Sequence, residues 1–281
     1  MTAQGKIVQA AVPAVPMIRR TLPGYTDFSY LAWLSPDPDP KRFLVLVHGI
    51  TRQADFIMRA FVGAAERYNY SLLAPIFTYR SYPDYQRLGR SGLGERADLS
   101  FMGMLDDARQ RLGMASEFDL FGFSGGAQFA HRLAYAYPGV ARSVVLAAAG
   151  WYTQPDPRRR FPYGLRRSRR LPGLRFKADG ILATPTLTMV GDRDTQRDDM
   201  LRKREIVDCV QGGHRLARAR WFHRTLSRLA VQRGFVDRHE FLKLPDTGHD
   251  FATAVQTGGL VQATLSFCDR QAPSYPEEKL A

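Results

Sequence analysis

The sequence predicts an α/β fold, with a mostly parallel central sheet flanked by helices. Three observations carry that prediction. The continuous apolar run FLVLV at 43–47 and the largely apolar segments SVVLAAA at 143–149 and TLTMV at 186–190 have the composition of strands buried on both faces of a sheet. Segments with helical spacing lie between them, so strands and helices alternate, as parallel crossover connections require. Finally, FDLFGFSGGAQFAHR, residues 118–132, joins an apolar run to a helix-compatible segment through Gly122-Phe123-Ser124-Gly125-Gly126. That is a G-x-S-x-G pattern at a strand-to-helix turn, tight enough to strain the backbone at Ser124 and expose its hydroxyl.

Taken in order, residues 1–26 read as an irregular N-terminal arm or a first edge strand. Prolines break their mildly apolar character, and they lack the unbroken hydrophobic core of a secretory signal. Residues 27–34, DFSYLAWL, form an early strand, and 43–47 the next, running straight into His48-Gly49-Ile50. Residues 54–69 have helical spacing, with Phe56, Ala60, Ala64 and Tyr68 on one face. A strand at 70–77 is followed by a polar, aromatic loop carrying Tyr79, Tyr82 and Tyr85. Residues 97–112 place Leu99, Met102, Leu105, Ala108 and Leu112 on one helical stripe.

After the Ser124 turn, the strand at 143–149 ends at Gly150-Trp151-Tyr152. Residues of about 151–182 then break the alternation as a basic, lid-like insert. From 157 to 178 it carries nine positive charges and no acid. The strand at 186–190 ends at Gly191-Asp192-Arg193-Asp194, and a long helical region, 198–233, is interrupted at Gly212-Gly213. A short strand at 240–244 leads to Gly248-His249, a closing helix spans 253–269, and 271–281 form a loose tail.

At 281 residues, 44% hydrophobic and 24% charged, the chain can bury a sizeable core. No run reaches transmembrane length. Cys209 and Cys268 fit no metal or redox spacing and read as free thiols of a reducing compartment, which predicts a cytoplasmic protein. The net charge of +13 is mostly arginine and is compatible with nucleic acid, an anionic membrane or an acidic substrate. A general arginine bias explains it equally well. No helix-turn-helix, zinc or RNA-binding signature accompanies the charge, which argues against nucleic acid.

A serine hydroxyl is a poor nucleophile at neutral pH and needs a base, itself oriented by an acid. Of the six histidines, only His48 and His249 follow predicted strand ends, the edge where open α/β sheets build sites. His249, in a turn with Gly248, is the better base; His48 reads as structural. His131 falls on a helix face, and His214, His223 and His239 on surface or loop positions. The acid belongs between serine and histidine in chain order. Asp194 and Asp192 both qualify, with Asp194 preferred because the loop after Gly191 needs a few residues to bend toward the histidine. Trp151 and Tyr152, following a strand end on the same side, are candidate pocket walls.

With His48-Gly49, Ser124, Gly191-x-x-Asp194 and Gly248-His249 in this order, residues 27–270 resemble the α/β-hydrolase superfamily. The GFSGGA turn is closest in style to small esterases and polyester depolymerases, and HGIT lacks the HGGG run of one lipase group. The resemblance implies Ser124 as nucleophile, His249 as general base, Asp194 as orienting acid, and an oxyanion hole from the Gly125 and Ile50 amides. It implies a serine hydrolase with no cofactor and no metal, cleaving a small-molecule carboxylic ester or thioester through an acyl-enzyme. The basic insert adds an anionic substrate as one reading. The rivals are a serine peptidase or amidase on the same fold, and a nucleic-acid or partner-binding protein using the basic surface.

Overall fold

A computed structural model of the chain describes residues 16–25 and 27–273. The first fifteen residues of the expected arm, Thr26, and the tail beyond residue 273 lie outside the described residues. The elements run β1 (Ile18–Thr21), β2 (Ser29–Trp33), β3 (Phe43–Val47), α1 (Ala54–Arg67), β4 (Ser71–Ile76), α2 (Ala97–Leu112), β5 (Asp119–Phe123) and α3 (Gly125–Ala136). They continue with β6 (Ser143–Ala147), α4 (Ala178–Leu182), β7 (Thr186–Gly191), α5 (Glu205–Gln211), α6 (Arg215–Gln232), β8 (His239–Leu244), α7 (Phe251–Gln256) and α8 (Leu260–Gln271).

Among the described residues the strands form one sheet in the order β1-β2-β4-β3-β5-β6-β7-β8. β1 and β2 add antiparallel at one edge, and every pairing from β4 to β8 is parallel. Parallel strands surrounded by helices are buried on both faces, and β3, β5 and β6 are buried at every residue. Each fully buried Leu or Val there contributes about 1.5–3 kcal/mol by leaving water. Because β3, β5, β7 and β8 run in one direction, the turns after them share one edge of the sheet.

The helices bury faces shifted from those predicted. In α1, Ile57, Met58, Phe61 and Ala65 enter the core, while Phe56 is exposed at the sheet edge. In α2, Phe101, Met104, Leu105 and Ala108 pack inward, and Leu99 faces out. The sequence spacing is correct in both helices; the phase depends on where the sheet lies, and periodicity alone does not supply it. The helical region expected at 198–233 begins later, at Glu205, and is interrupted at Gly212 as expected, giving α5 and α6. The closing helix is likewise divided, with Gly259 in the left-handed region before α8.

The segment between β6 and α4 is irregular apart from one bridge between Arg160 and Arg166. It is tied to the loop before α2, where Ser91 N–H donates to the Arg170 carbonyl at 2.8 Å and Arg96 to that of Pro172 at 3.2 Å. No helix among the described residues is long and apolar enough to cross a membrane.

Candidate active site

β5 passes into α3 at Ser124, whose backbone sits at φ 52° and ψ −108°. A non-glycine residue there is strained. It is held by its N–H, which donates to the Ala147 carbonyl at 2.8 Å, and by Gln128 N–H donating to its own carbonyl at 3.1 Å. The last glycine of the motif answers to close approach: a Cβ on Gly126 would lie 2.0 Å from the Val47 carbonyl oxygen. Only glycine lets α3 start directly against the end of β3.

The turn after β8 carries His249 to this serine. His249 Nε2 lies 3.1 Å from Ser124 Oγ, and its Nδ1 lies 2.9 Å from Asp194 Oδ2. The carboxylate can only accept, so the proton sits on Nδ1 and leaves Nε2 free to accept the serine proton. Phe123 stacks against the imidazole at 5.6 Å with the rings 19° apart. Asp194 is buried at the end of the turn after β7, while Asp192 Oδ1 accepts the Thr247 N–H at 3.2 Å and braces the two turns. Of the two candidate acids, Asp194 therefore meets the histidine.

Both ring nitrogens of His48 are engaged by backbone groups rather than by the serine. Phe77 N–H donates to its Nε2 at 3.2 Å, so its proton is on Nδ1, which donates to the Gly49 carbonyl at 2.8 Å. Burial holds its pKa down at about 4. The ring thus fixes the loop that carries Ile50. On the other side, the Tyr85 hydroxyl donates to the His48 carbonyl at 2.8 Å. A Cβ built on Gly125 would stand 3.3 Å from Ile50 N, so the amides of Gly125 and Ile50 are neighbours beside Ser124.

The cavity holding Ser124 measures about 410 Å³, and its apolar wall comes from Ile50, Phe56, Ile57, Phe123, Met200 and Phe251. Trp151 and Tyr152 do not line it, which corrects the expected pocket wall. Trp151 lies between the guanidiniums of Arg132 and Arg202, at 4.3 and 5.1 Å, and Tyr152 stacks on Phe222 at 4.1 Å in the core. The chain turns inward after β6, so strand-end position alone misplaced both rings. The 151–182 segment contributes nothing to this wall either; its arginines line a second cavity instead.

Sequence reasoning missed Arg215, at the start of α6. It is buried, donates to Asp198 at 2.7 and 2.9 Å, and reaches Asp194 at 3.4 Å. Its sequence context, an arginine-rich helix, contains no signal that separates it from its exposed neighbours. Phe56 and Met200, both exposed apolar side chains at the cavity, fall in the sequence on a helix face and inside the helical region expected at 198–233, where nothing marks them as cavity residues. Of the remaining histidines, His131 is buried, with its Nδ1 2.8 Å from the Ala127 carbonyl, and His214 caps α6. Among the described residues no cluster of His, Cys, Asp or Glu is arranged to hold a metal ion.

A parallel sheet with serine, aspartate and histidine on the turns after β5, β7 and β8, preceded by a His-Gly loop, has the architecture of the α/β-hydrolase fold. Solved structures bear this out. The chain is similar to poly(aspartic acid) hydrolase-1 from Sphingomonas sp. KT-1, with a TM-score of 0.73 and 24% identity over 90% of this chain and 97% of that one. It is similar to a poly(3-hydroxybutyrate) depolymerase from Bordetella parapertussis, with a TM-score of 0.66 and 27% identity over 88% and 85% of the two chains. It also resembles fluorophosphonate-binding serine hydrolase F from Staphylococcus aureus, with a TM-score of 0.60 and 14% identity over 90% and 99%. No family model matches the sequence, and no curated protein matches it.

Proposed function

We propose that the protein is a serine hydrolase that cleaves a carboxylic ester or thioester through an acyl-enzyme. The observation that carries this reading is the continuous contact from Ser124 Oγ through the His249 ring to the buried Asp194 carboxylate. Ser124 attacks the carbonyl carbon as His249 Nε2 takes its proton. The Gly125 and Ile50 amides receive the negative charge that develops on the carbonyl oxygen, each worth about 3 kcal/mol in the transition state. His249 returns the proton to the departing alcohol or thiol, and the acyl group stays on Ser124. Water, deprotonated by the same nitrogen, then releases the acid and restores the serine. Asp194 holds the imidazole tautomer throughout.

The likeness to a polyester depolymerase supports ester chemistry. The likeness to a poly(aspartic acid) hydrolase motivates amide cleavage as the second reading. The decisive experiment is labelling by a fluorophosphonate probe, followed by a p-nitrophenyl ester series of increasing acyl length. Wild type labels and turns over esters, and Ser124→Ala does neither. Labelling that survives in Ser124→Ala would overturn the assignment. Turnover of p-nitroanilides at rates matching the esters would favour the amidase reading.

A further inference from the structure

We propose that the cavity between the turn at 84–90 and the segment at 160–174 binds a polycarboxylate chain. This deepens the hydrolase reading, on which it rests for one point, that the bound chain belongs to the substrate. The cavity measures about 760 Å³, room for an extended segment rather than a single ion. Arg87 and Arg90 line one wall, and Arg160, Arg166, Arg167, Arg169 and Arg170 the facing one. Asp84 is the one acid among the lining residues, and Arg87 and Arg90 already engage it at 3.3 and 3.4 Å. The five arginines of the facing wall are exposed and have no ion pair among the described residues.

The chemistry of the lining narrows the ligand. All its cations are arginines, whose planar fork matches a carboxylate with two parallel hydrogen bonds. The Arg87 Nε is buried without a hydrogen-bond partner, an unused donor at the wall. Burial, and then the like charges of Arg202 and Arg90, push the Arg87 guanidinium below its ordinary value despite Asp84. Crowded cations of this kind gain most from an incoming anion. Buried Leu171 and Leu174, beside the Phe161 ring stacked on Phe176 at 4.2 Å, add an apolar floor suited to the methylenes between carboxylates. The walls are also fixed in place, because Ser91 and Arg96 donate across to the Arg170 and Pro172 carbonyls.

The turn that lines this cavity is hydrogen-bonded to the loop of the candidate active site, although the two cavities have no lining residue in common. Tyr85, two residues before Arg87, donates to the His48 carbonyl, and Gln86 offers its carbonyl to Arg132 of α3. A chain seated on Arg87 therefore lies on the far side of the turn that supports the 48–50 loop. The segment read as a lid serves as the opposite wall of this groove.

Binding is tested apart from catalysis, in Ser124→Ala protein, by the fluorescence anisotropy of a labelled oligo-aspartate. The triple variant Arg166→Gln/Arg167→Gln/Arg170→Gln weakens binding about tenfold, as the loss of three partly exposed charge pairs implies. Arg220→Gln/Arg224→Gln/Arg228→Gln removes the same charge from the exposed face of α6 and leaves binding near its starting value. Equal weakening by both triples would overturn the site in favour of bulk charge. Displacement of the probe by inorganic phosphate as effectively as by unlabelled oligo-aspartate would overturn the polycarboxylate assignment. Hydrolysis of p-nitrophenyl butyrate, measured with Ser124 intact, reports folding of both triples and is expected to be unchanged. If the first triple misfolds, Arg167→Glu alone carries the same comparison, and undiminished binding by it overturns the site. Absence of oligo-aspartate binding by the Ser124→Ala protein with all its arginines in place, while wild type still turns over esters, would defeat this site and spare the hydrolase reading. Binding without any ester turnover by wild type would do the reverse.

Discussion

Arg215 grips Asp198 with both terminal nitrogens and stands 3.4 Å from the Asp194 carboxylate that meets His249. All three charges meet at the end of the turn after β7, two of them buried. A buried carboxylate with only a histidine beside it is costly, and Arg215 offsets that cost while steering Asp194. The same guanidinium holds the Asp198 carboxyl down at about 2. Arg215→Met is expected to lower kcat by about ten- to a hundredfold through misplacement of the Asp194–His249 pair, with KM little changed. Michaelis kinetics on a p-nitrophenyl ester check this. Unchanged kcat with a lower Tm would reduce Arg215 to a structural role.

The two strand-end aspartates separate cleanly. Asp194→Asn keeps the side-chain volume but presents the imidazole with a group that supports the wrong tautomer, and kcat is expected to fall by about 10³–10⁴. Asp192 braces the Thr247 N–H only, so Asp192→Asn is expected to turn over close to wild type. Parallel kinetics of the two variants decide between them, and the reverse ranking would refute the assignment of Asp194.

Close approach makes Gly126 irreplaceable on stability grounds. Gly126→Ala drives a Cβ to 2.0 Å from the Val47 carbonyl, and the chain is expected to lose about 3 kcal/mol or more, or to express insoluble. Gly63, exposed within α1 with nothing within 4 Å of an added Cβ, is the matched control. Gly63→Ala is expected to stabilise by about 0.8 kcal/mol. Urea denaturation of the two variants gives both signs.

Acid sensitivity follows from buried histidines. His48 is held neutral, its pKa lowered to about 4 by burial. An unfolded histidine binds its proton near pH 6.5, so between those values the unfolded chain takes up more protons. The His48 contribution is complete above about pH 6.5 and is lost as pH falls toward 4, up to about 3 kcal/mol. His239, also held at about 4, and His131, held well below its ordinary value, act in the same direction. Tm is therefore expected to drop steeply across this window, and more gently in His48→Gln. An unchanged slope in that variant would show that the acid limb has another origin.

The strands and the order of the reactive residues were legible because they depend on local chemistry. β3 is an unbroken apolar run, β5 and β7 are mostly apolar and fully buried, and G-x-S-x-G records a turn that few other residues can make. Helix phase was less legible: Phe56 and Leu99 fit a periodic stripe, yet both are exposed. Trp151 shows the limit most plainly. It follows a strand end as a pocket residue would, but its ring packs against the guanidiniums of Arg132 and Arg202, 19 and 51 positions away and invisible as neighbours in the chain.

By itself the amino-acid sequence determined the α/β alternation, the strained turn at Ser124, and the candidacy of His249 and two aspartates. Each follows from interactions between residues close in the chain: burial pattern, turn geometry and glycine spacing. Only the tertiary structure put Asp194 in contact with His249, added Arg215, removed Trp151 and Tyr152 from the cavity, and turned the arginine-rich segment into the wall of a separate groove. Those outcomes depend on distances of a few ångströms between segments far apart in sequence, such as the 2.9 Å from His249 to Asp194. Sheet order and turn packing set such distances, and no local pattern encodes them.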